Sequence, residues 1–442
     1  MLQKSKFVFL IGNNLLWHSL LGKSIKVSDV LYKRLKENLP INKTNNSEVQ
    51  KLIKRQFIST EMQDNKLLSK IKNELSDDGF NNLFLIMTNC CNLACKYCFY
   101  QNTPHLLQTK MSFDTAKKAL DIFVKEQNKN EKSRNWFSQI TFYGGEPLIN
   151  FECIQKTTNY IEKLKLENKL PQKTQLVINT NGILINQTII NWAKEHHIQV
   201  QISIDGNKKV HDKNRVFATG KGSYSDTIKG LNNLVRGEVD VLPLVTVTTE
   251  NLPQLPRLIY SLCKKYKLKH YGMNLLIDLG KILMHDYPKD AAKQMVLTNQ
   301  ETSKLGVSDD VIDYIFDTIK NFNVVKQSCG VSRKMTVFPD GKISACQAIA
   351  DCDTAVIGNV SQGLINKHNI DYWKNYSRFN NAKCIKCKYI GFCGGGCVAS
   401  AWFRHKKLGT IDQHYCKWIK SIMKKYFNPE NYLEENNDAH YN

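Results

Sequence analysis

Ten of the fourteen cysteines are spaced so that their sulfurs can converge on shared metal centres. One set is Cys91-x3-Cys95-x2-Cys98. The other runs Cys329-x11-Gly341-x4-Cys346, then Cys384-x2-Cys387-x5-Cys393-x3-Cys397, then Cys416. Gaps of two to five residues let thiolates from one loop reach one centre without crossing a sheet. Disulfide scaffolds are short and secreted, whereas clustered cysteines in a long chain point to metal ligands. The number and spacing suggest several iron–sulfur clusters, and therefore redox chemistry. Cys-x2-Cys pairs also suit tetrahedral zinc, which is the alternative to weigh. Cys90 falls outside the spacing, and Cys153 and Cys263 sit in helical patterns as small buried hydrophobes.

Composition sets the bounds. At 442 residues the chain has room for two or three domains. The apolar run Phe7–Gly12 is too short for a secretory segment, and no stretch reaches membrane-span length. A cytoplasmic protein is expected. The formal charge of +22 would be partly offset by thiolate-bound clusters. Lysines are spread along the chain, and no stretch interleaves aromatics with Lys or Arg as a single-strand nucleic-acid binder would.

Six apolar runs alternate with amphipathic stretches and would position the cysteines. They are Leu83–Met87, Gln139–Tyr143, Gln175–Asn179, Gln199–Ile204, Asp240–Val247 and His270–Ile277. Helices are expected at Phe113–Lys125, Cys153–Leu166, Asn186–His196 and Ser225–Leu234. The alternation argues a parallel α/β sheet or partial barrel whose sites lie at the strand C-terminal ends. Each motif follows one of these strands. Cys91, Cys95 and Cys98 follow the first, and three thiolates leave one iron of a four-iron cluster open. Gly144-Gly145-Glu146-Pro147 closes the second, with glycines for close backbone approach and a carboxylate that can accept from an ammonium group. Asn181 follows the third. Ser203, Asp205 and, further on, His211 and Arg215 follow the fourth; Arg215 and Ser203 could hold a carboxylate. His211 fits a structural role better than proton donation.

Cys91-Asn92-Leu93-Ala94-Cys95-Lys96-Tyr97-Cys98 resembles the signature of radical S-adenosylmethionine (SAM) enzymes. The resemblance implies that SAM chelates the open iron and yields a 5′-deoxyadenosyl radical. Tyr97 would cover the adenine, Gly144, Gly145 and Glu146 would meet the methionyl amine, and Asn181, Ser203, Asp205 and Arg215 would surround the rest. The seven later cysteines resemble the SPASM domain. By that resemblance Cys384, Cys387, Cys393 and Cys416 hold one auxiliary 4Fe-4S cluster, and Cys329, Cys346 and Cys397 another. The last ligand of the second is Cys352 or an open site.

The implied architecture is a partial (β/α)6 TIM-like barrel of the radical SAM type with further domains at both ends. Residues 1–80, with short strands and a helix capped by Ser28, resemble the winged-helix module by which peptide-modifying enzymes recognise a precursor. The core would span 81–280, a helical bridge 281–325, the SPASM domain 326–428 and a polar, fraying tail 429–442. Sulfatase-maturating relatives carry an Asp base directly after the cysteine equivalent to Cys346. Here Gln347 stands there and cannot take a proton at neutral pH. Maturases that build sulfur-to-carbon thioethers in ribosomal peptides are more similar. The expected partners are a precursor peptide docked on the N-terminal module and a flavodoxin- or ferredoxin-type electron donor. Carbon–carbon cross-linking, epimerisation and sulfatase maturation are the alternatives. No catalytic acid or base is identifiable.

Overall fold

The computed structural model describes residues 2–41, 46–75, 79–100, 109–129, 137–277, 279 and 286–433. Near the N-terminus lie β1 (Gln3–Lys4), β2 (Val8–Gly12), β3 (Leu15–His18), β4 (Lys23–Lys26) and β5 (Ile58–Ser59). The strands β2-β3-β4 form an antiparallel meander, and β1 pairs antiparallel with β5. Ser28 caps the helix Asp29–Lys36 as expected, accepting from the Leu31 amide, and Leu31 and Leu35 turn inward together. The helices Ser47–Lys54 and Glu61–Glu74 complete the module. The second carries a reciprocal cap between Thr60 and Gln63.

The centre is one ten-stranded sheet. Its strands are β6 (Asn82–Thr88), β7 (Gln139–Gly144), β8 (Gln175–Thr180), β9 (Gln199–Ser203), β10 (Val241–Val247), β11 (His270–Leu275), β12 (Ser308–Asp309), β13 (Lys334–Val337), β14 (Lys342–Ser344) and β15 (Val356–Asn359). Their order is β12-β11-β10-β9-β8-β7-β6-β13-β14-β15, parallel from β12 through β13 and antiparallel in the last two pairings. The α/β architecture is therefore the expected one, and all six expected strands are present within two residues of their anticipated ends.

Period-2 alternation divides the sheet into two faces. Leu83, Leu85, Ile140, Phe142, Leu176, Ile178, Val200, Ile202, Val245 and Val247 join the core shared with the helices. The intervening residues point the other way, towards the inner face. The core side includes Phe123 of the helix Phe113–Asn128, Ile161 of Phe151–Leu166 and Leu231 of Tyr224–Arg236. Such apolar burial, roughly 25 cal/mol per Å² removed from water, is the main force fixing the strand register.

In the cysteine-rich region β13 runs parallel beside β6, and β14 and β15 extend the same sheet. One feature differs from expectation: the tail does not fray at its start. Tyr432 and Phe427 pack on Trp17, and Leu433 bridges to Ser24. Residues 434–442 lie outside the described residues. The helices Tyr287–Ser303 and Ile312–Asn321 precede the cysteine-rich region, with β12 between them.

Trp17 joins the two ends of the chain. It is fully buried; its ring lies 4.9 Å from Phe427, 5.1 Å from Tyr432, 5.7 Å from Phe322 and 6.0 Å from Phe392. Its indole nitrogen donates to the Lys388 carbonyl at 2.9 Å. Trp17→Ala is expected to cost about 3–5 kcal/mol, as large aromatic truncations do. Anaerobic thermal denaturation should show a markedly lower midpoint, with cleavage by added protease beginning in the N-terminal residues. An unchanged midpoint would mean that this cluster does not hold the module.

Candidate functional site

The first cysteine loop begins where β6 ends, and neighbouring segments pin it on both sides. Ala94 and Lys96 donate backbone hydrogen bonds to the carbonyls of Val216 and Asn214, at 2.7 and 2.9 Å. Asn181 Nδ2 donates to Asn92 at 2.7 Å and approaches the Cys91 sulfur at 3.9 Å. From the other side, the Gly-Gly turn clamps the loop's start: Gly145 N donates to the Thr88 carbonyl and Glu146 N to that of Cys90. A Cβ on Gly145 would sit 2.2 Å from the Cys90 oxygen, and one on Gly144 (φ +138°) 2.3 Å from that of Thr88. The glycines are thus required by the cysteine loop itself.

Glu146 is fully buried and faces β8. Its carboxylate accepts from the Thr180 hydroxyl (2.8 Å), Asn181 N (2.8 Å) and Leu148 N (3.1 Å). It therefore ties two strand ends together, a role the sequence motif alone did not indicate. Burial outweighs these three hydrogen bonds and raises its pKa to about 7.

Asp205 and Arg215 form a buried ion pair beside the loop, with Nε 3.1 Å from Oδ2. Tyr97 donates its hydroxyl to the same carboxylate oxygen at 2.5 Å, and the guanidinium lies over the Tyr97 ring at 5.4 Å. Burial works against the Arg215 charge, but Asp205, Tyr97 and Cys95 hold it firmly protonated. Removing one partner from such a pair typically costs about 3–5 kcal/mol. His211 accepts from Asp205 N (3.4 Å) and meets Ser223 (3.1 Å). Burial and then Arg215 lower it to about 4, so it is a neutral, structural imidazole at physiological pH. Ser203 is on the inner face at the end of β9, partly exposed.

The ten cysteines gather into three groups. Burial pushes the Cys91 thiol up to about 12, helped by Glu146, Cys95 and Cys98. Cys397 rises to about 12 through burial and then Cys329 and Cys346. Cys384 rises to about 11 through burial, Cys416 and Cys387, and Cys393 to about 12 through burial, Cys416 and Cys384. In each group one sulfur accepts from the amide two residues on: Leu93 N to Cys91 (3.4 Å), Ala348 N to Cys346 (3.5 Å) and Gly395 N to Cys393 (3.4 Å). Backbone donors on sulfur suit a metal-bound thiolate. Among the described residues no three His, Cys, Asp or Glu side chains stand close enough to chelate a single ion. Thiolates are the donors a 4Fe-4S cluster takes, one per iron. Cys352 is buried, and its strongest charged neighbours are Asp351 and Asp353. Cys153 and Cys263 are buried in the core.

Sequence inspection missed two parts of the site. Lys334 Nζ lies 3.4 Å from Gln347 Oε1 and 4.7 Å from the centre of the Phe84 ring. Tyr143, beside Phe84 and Tyr100, is raised by burial and then by both Cys98 and Cys346, so it stands between the first and second cysteine groups. The signal for the inner face was present as alternate polar residues within the apolar runs: Gln139-x-Thr141-x-Tyr143 and Gln199-x-Gln201-x-Ser203.

A cysteine trio after β6, clamped by a Gly-Gly-Glu turn after β7, coincides with a recognised sequence family: residues 85–259 match the radical SAM superfamily. The chain carries a radical SAM domain. That domain implies a 4Fe-4S cluster and SAM, and an enzyme. Over 364 residues the chain is 25% identical to radical SAM cyclopropyl synthase TigE of Paramaledivibacter caminithermalis, covering 78% of this chain and 74% of TigE. It is 26% identical over 364 residues to a cysteine-type anaerobic sulfatase-maturating enzyme of Clostridium novyi, covering 78% and 94%. Two solved structures share the fold. Native anSMEcpe with bound AdoMet has TM-score 0.64 at 22% identity, covering 78% of this chain and 96% of that one. Streptococcus suis SuiB bound to precursor peptide SuiA has TM-score 0.56 at 15% identity, covering 94% and 100%. No described helix is long and apolar enough to cross a membrane.

The buried carboxylate of the radical SAM domain makes a pH prediction. Folded Glu146 keeps a proton between its ordinary value of 4.5 and about 7, which the unfolded chain releases. Folding stability should therefore fall as pH rises through that window and level off above it. Glu146→Gln removes this contribution while leaving Asp309, which is also raised to about 7, in both proteins. The midpoint of wild type minus that of E146Q should drop from pH 4.5 to 7; a constant difference would refute the assignment.

Proposed function

We propose that this radical SAM enzyme is a peptide maturase that joins a Cys sulfur to a carbon of a ribosomally made precursor. The observation carrying the choice is the pair beside Cys346: a neutral amide, Gln347, bonded to an ammonium group, Lys334. A sulfatase-type Asp base has no counterpart there, whereas a cation favours a substrate thiolate that needs no base. When bound, the first cluster and SAM would supply a 5′-deoxyadenosyl radical, which takes a hydrogen atom from the substrate.

Cys91, Cys95 and Cys98 would hold that cluster. Tyr97, Gly144, Gly145, Asn181 and Ser203 would border SAM, and the Asp205–Arg215 pair and Glu146 would keep their segments rigid. Two auxiliary 4Fe-4S clusters on Cys384, Cys387, Cys393 and Cys416 and on Cys329, Cys346 and Cys397 would accept the surplus electron. A flavodoxin- or ferredoxin-type protein would deliver the initiating one. Residues 1–80 would dock the precursor leader by adding a strand to the β2-β3-β4 sheet. The breadth of the SuiB fold match, which reaches past the core over 94% of the chain, supports this reading, as SuiB was captured with a precursor peptide. Similarity to the cyclopropyl synthase favours carbon–carbon bond formation as the second reading.

Anaerobically reconstituted enzyme, incubated with SAM, reductant and a Cys-containing precursor encoded beside its gene, should yield a peptide lighter by two hydrogens and resistant to thiol alkylation. The same mass loss with the thiol still alkylatable would favour the carbon–carbon reading. SAM cleavage without peptide change would refute both. For the clusters, Cys384→Ala with Cys416→Ala should remove about four of roughly twelve irons per chain while sparing SAM cleavage without peptide. Stoichiometric zinc in place of iron would overturn the cluster assignment.

A further inference from the structure

The inner face of the sheet carries few charges but many amides. Asn179 Nδ2 donates to Gln201 Oε1 at 2.9 Å, Gln201 Nε2 to Gln199 Oε1 at 3.2 Å, and Gln199 Nε2 to Asp240 at 3.2 Å. On the far side of Phe84, Lys334 points to the same face, since its neighbours Met335 and Val337 enter the core. Lys334 is 9% exposed, and among the described residues no carboxylate pairs with it. Its contacts are the Gln347 amide oxygen and the Phe84 ring. Two buried hydroxyls in this region, Thr336 Oγ1 and Tyr100 Oη, also have no hydrogen-bond partner among the described residues. Thr336 lies two residues along β13 from Lys334, and Tyr100 packs on Tyr143.

An ammonium group buried near the Cys346 sulfur but with no carboxylate partner among the described residues is only partly compensated, and buried hydroxyls without partners are costly. A ligand bringing an acceptor-only anion would satisfy the lysine and accept from nearby hydroxyls. It would lie beside Cys346, whose thiol the Lys334 charge favours in the ionised form, and Phe84 connects it to Tyr143, which both Cys98 and Cys346 influence.

We propose that Lys334, with Gln347 orienting it, anchors an anionic side chain of the substrate peptide, a carboxylate or a thiolate. The proposal rests on the substrate being a peptide but not on which bond is formed. The competing role for Lys334 is to neutralise the Cys346 group alone.

The test uses the full reconstituted chain with SAM and capped pentapeptides Gly-Ser-Xaa-Ser-Gly, Xaa being Asp, Asn, Cys or Ser, with affinity measured by anaerobic calorimetry. A charge-assisted contact should make the preferred anionic peptide bind roughly ten- to hundred-fold tighter than its neutral counterpart. If the anion is a carboxylate, Asp exceeds Asn at pH 7 and the ratio is flat to pH 9. If it is a thiolate, Cys gains on Ser as pH rises through about 8.5. Lys334→Met should abolish the preference and Lys334→Arg retain most of it, with circular dichroism and iron content confirming folded, loaded protein. Equal affinity for all four peptides, or an anion preference that survives in K334M, would overturn the anchor. K334M that shifts only the cluster reduction potentials would assign the lysine to charge compensation and also overturn it. Binding of none of the peptides would overturn the anchor together with the peptide-substrate reading.

Discussion

Thiols brought together in a protein interior disfavour their own ionisation, and this constraint organises the chain. Burial alone pushes a thiol pKa upward, and each neighbouring sulfur pushes it further. In all three cysteine groups both effects act together, lifting Cys91, Cys393 and Cys397 to about 12. Thiolates can coexist there only if a cation offsets them, as the iron of a bound cluster would while backbone amides steady the sulfur. Without metal the groups would be neutral thiols holding nothing together. The loops are braced from outside, by strand ends and aromatic packing, so that the sulfurs are grouped without any metal.

The bracing explains which parts of the site the sequence revealed. Strand positions could be read because each strand alternates apolar residues for a helix-covered core, and the period survives even where Gln or Thr interrupts it. The cysteine loop and Gly144-Gly145-Glu146-Pro147 stood out because sulfur spacing and paired glycines are rare without a reason. The structure changes the reason for two of those residues. Gly145 is glycine because the Cys90 carbonyl is where its Cβ would go, and Glu146 accepts from Thr180, Asn181 and Leu148, joining two strand ends. Neither is visible in one dimension, because both depend on neighbouring strands meeting in register.

What could not be read was long-range pairing. Asp205 and Arg215 each suggested a ligand contact; their pairing with one another, and the Tyr97 hydroxyl bonded to the same carboxylate, could not be read from the sequence. Lys334 was hidden among many lysines. Only the pairing of β13 with β6 sets it on the inner face against Phe84, and only the turn after β14 brings Gln347 to it. Lysine was ordinary by type and unusual by burial, a property the sequence does not carry.

The same pairing bears on how the ends of the chain act on the centre. The loop carrying Cys384, Cys387 and Cys393 shares a wall with the N-terminal module: Trp17 bonds the Lys388 carbonyl and stacks on Phe392, and a Cβ on Gly391 would lie 2.7 Å from the Ser19 carbonyl. A peptide added to the β2-β3-β4 sheet would thus press on strands whose opposite contacts are an auxiliary cysteine loop. Close-packed interiors transmit small displacements rather than absorb them. If a precursor leader docks there as proposed, rigid attachment would hold it at a fixed distance from the inner face and limit the residues that can reach it. A freely tethered module would impose no such limit, so on that reading the Trp17 packing would help decide which residue is modified.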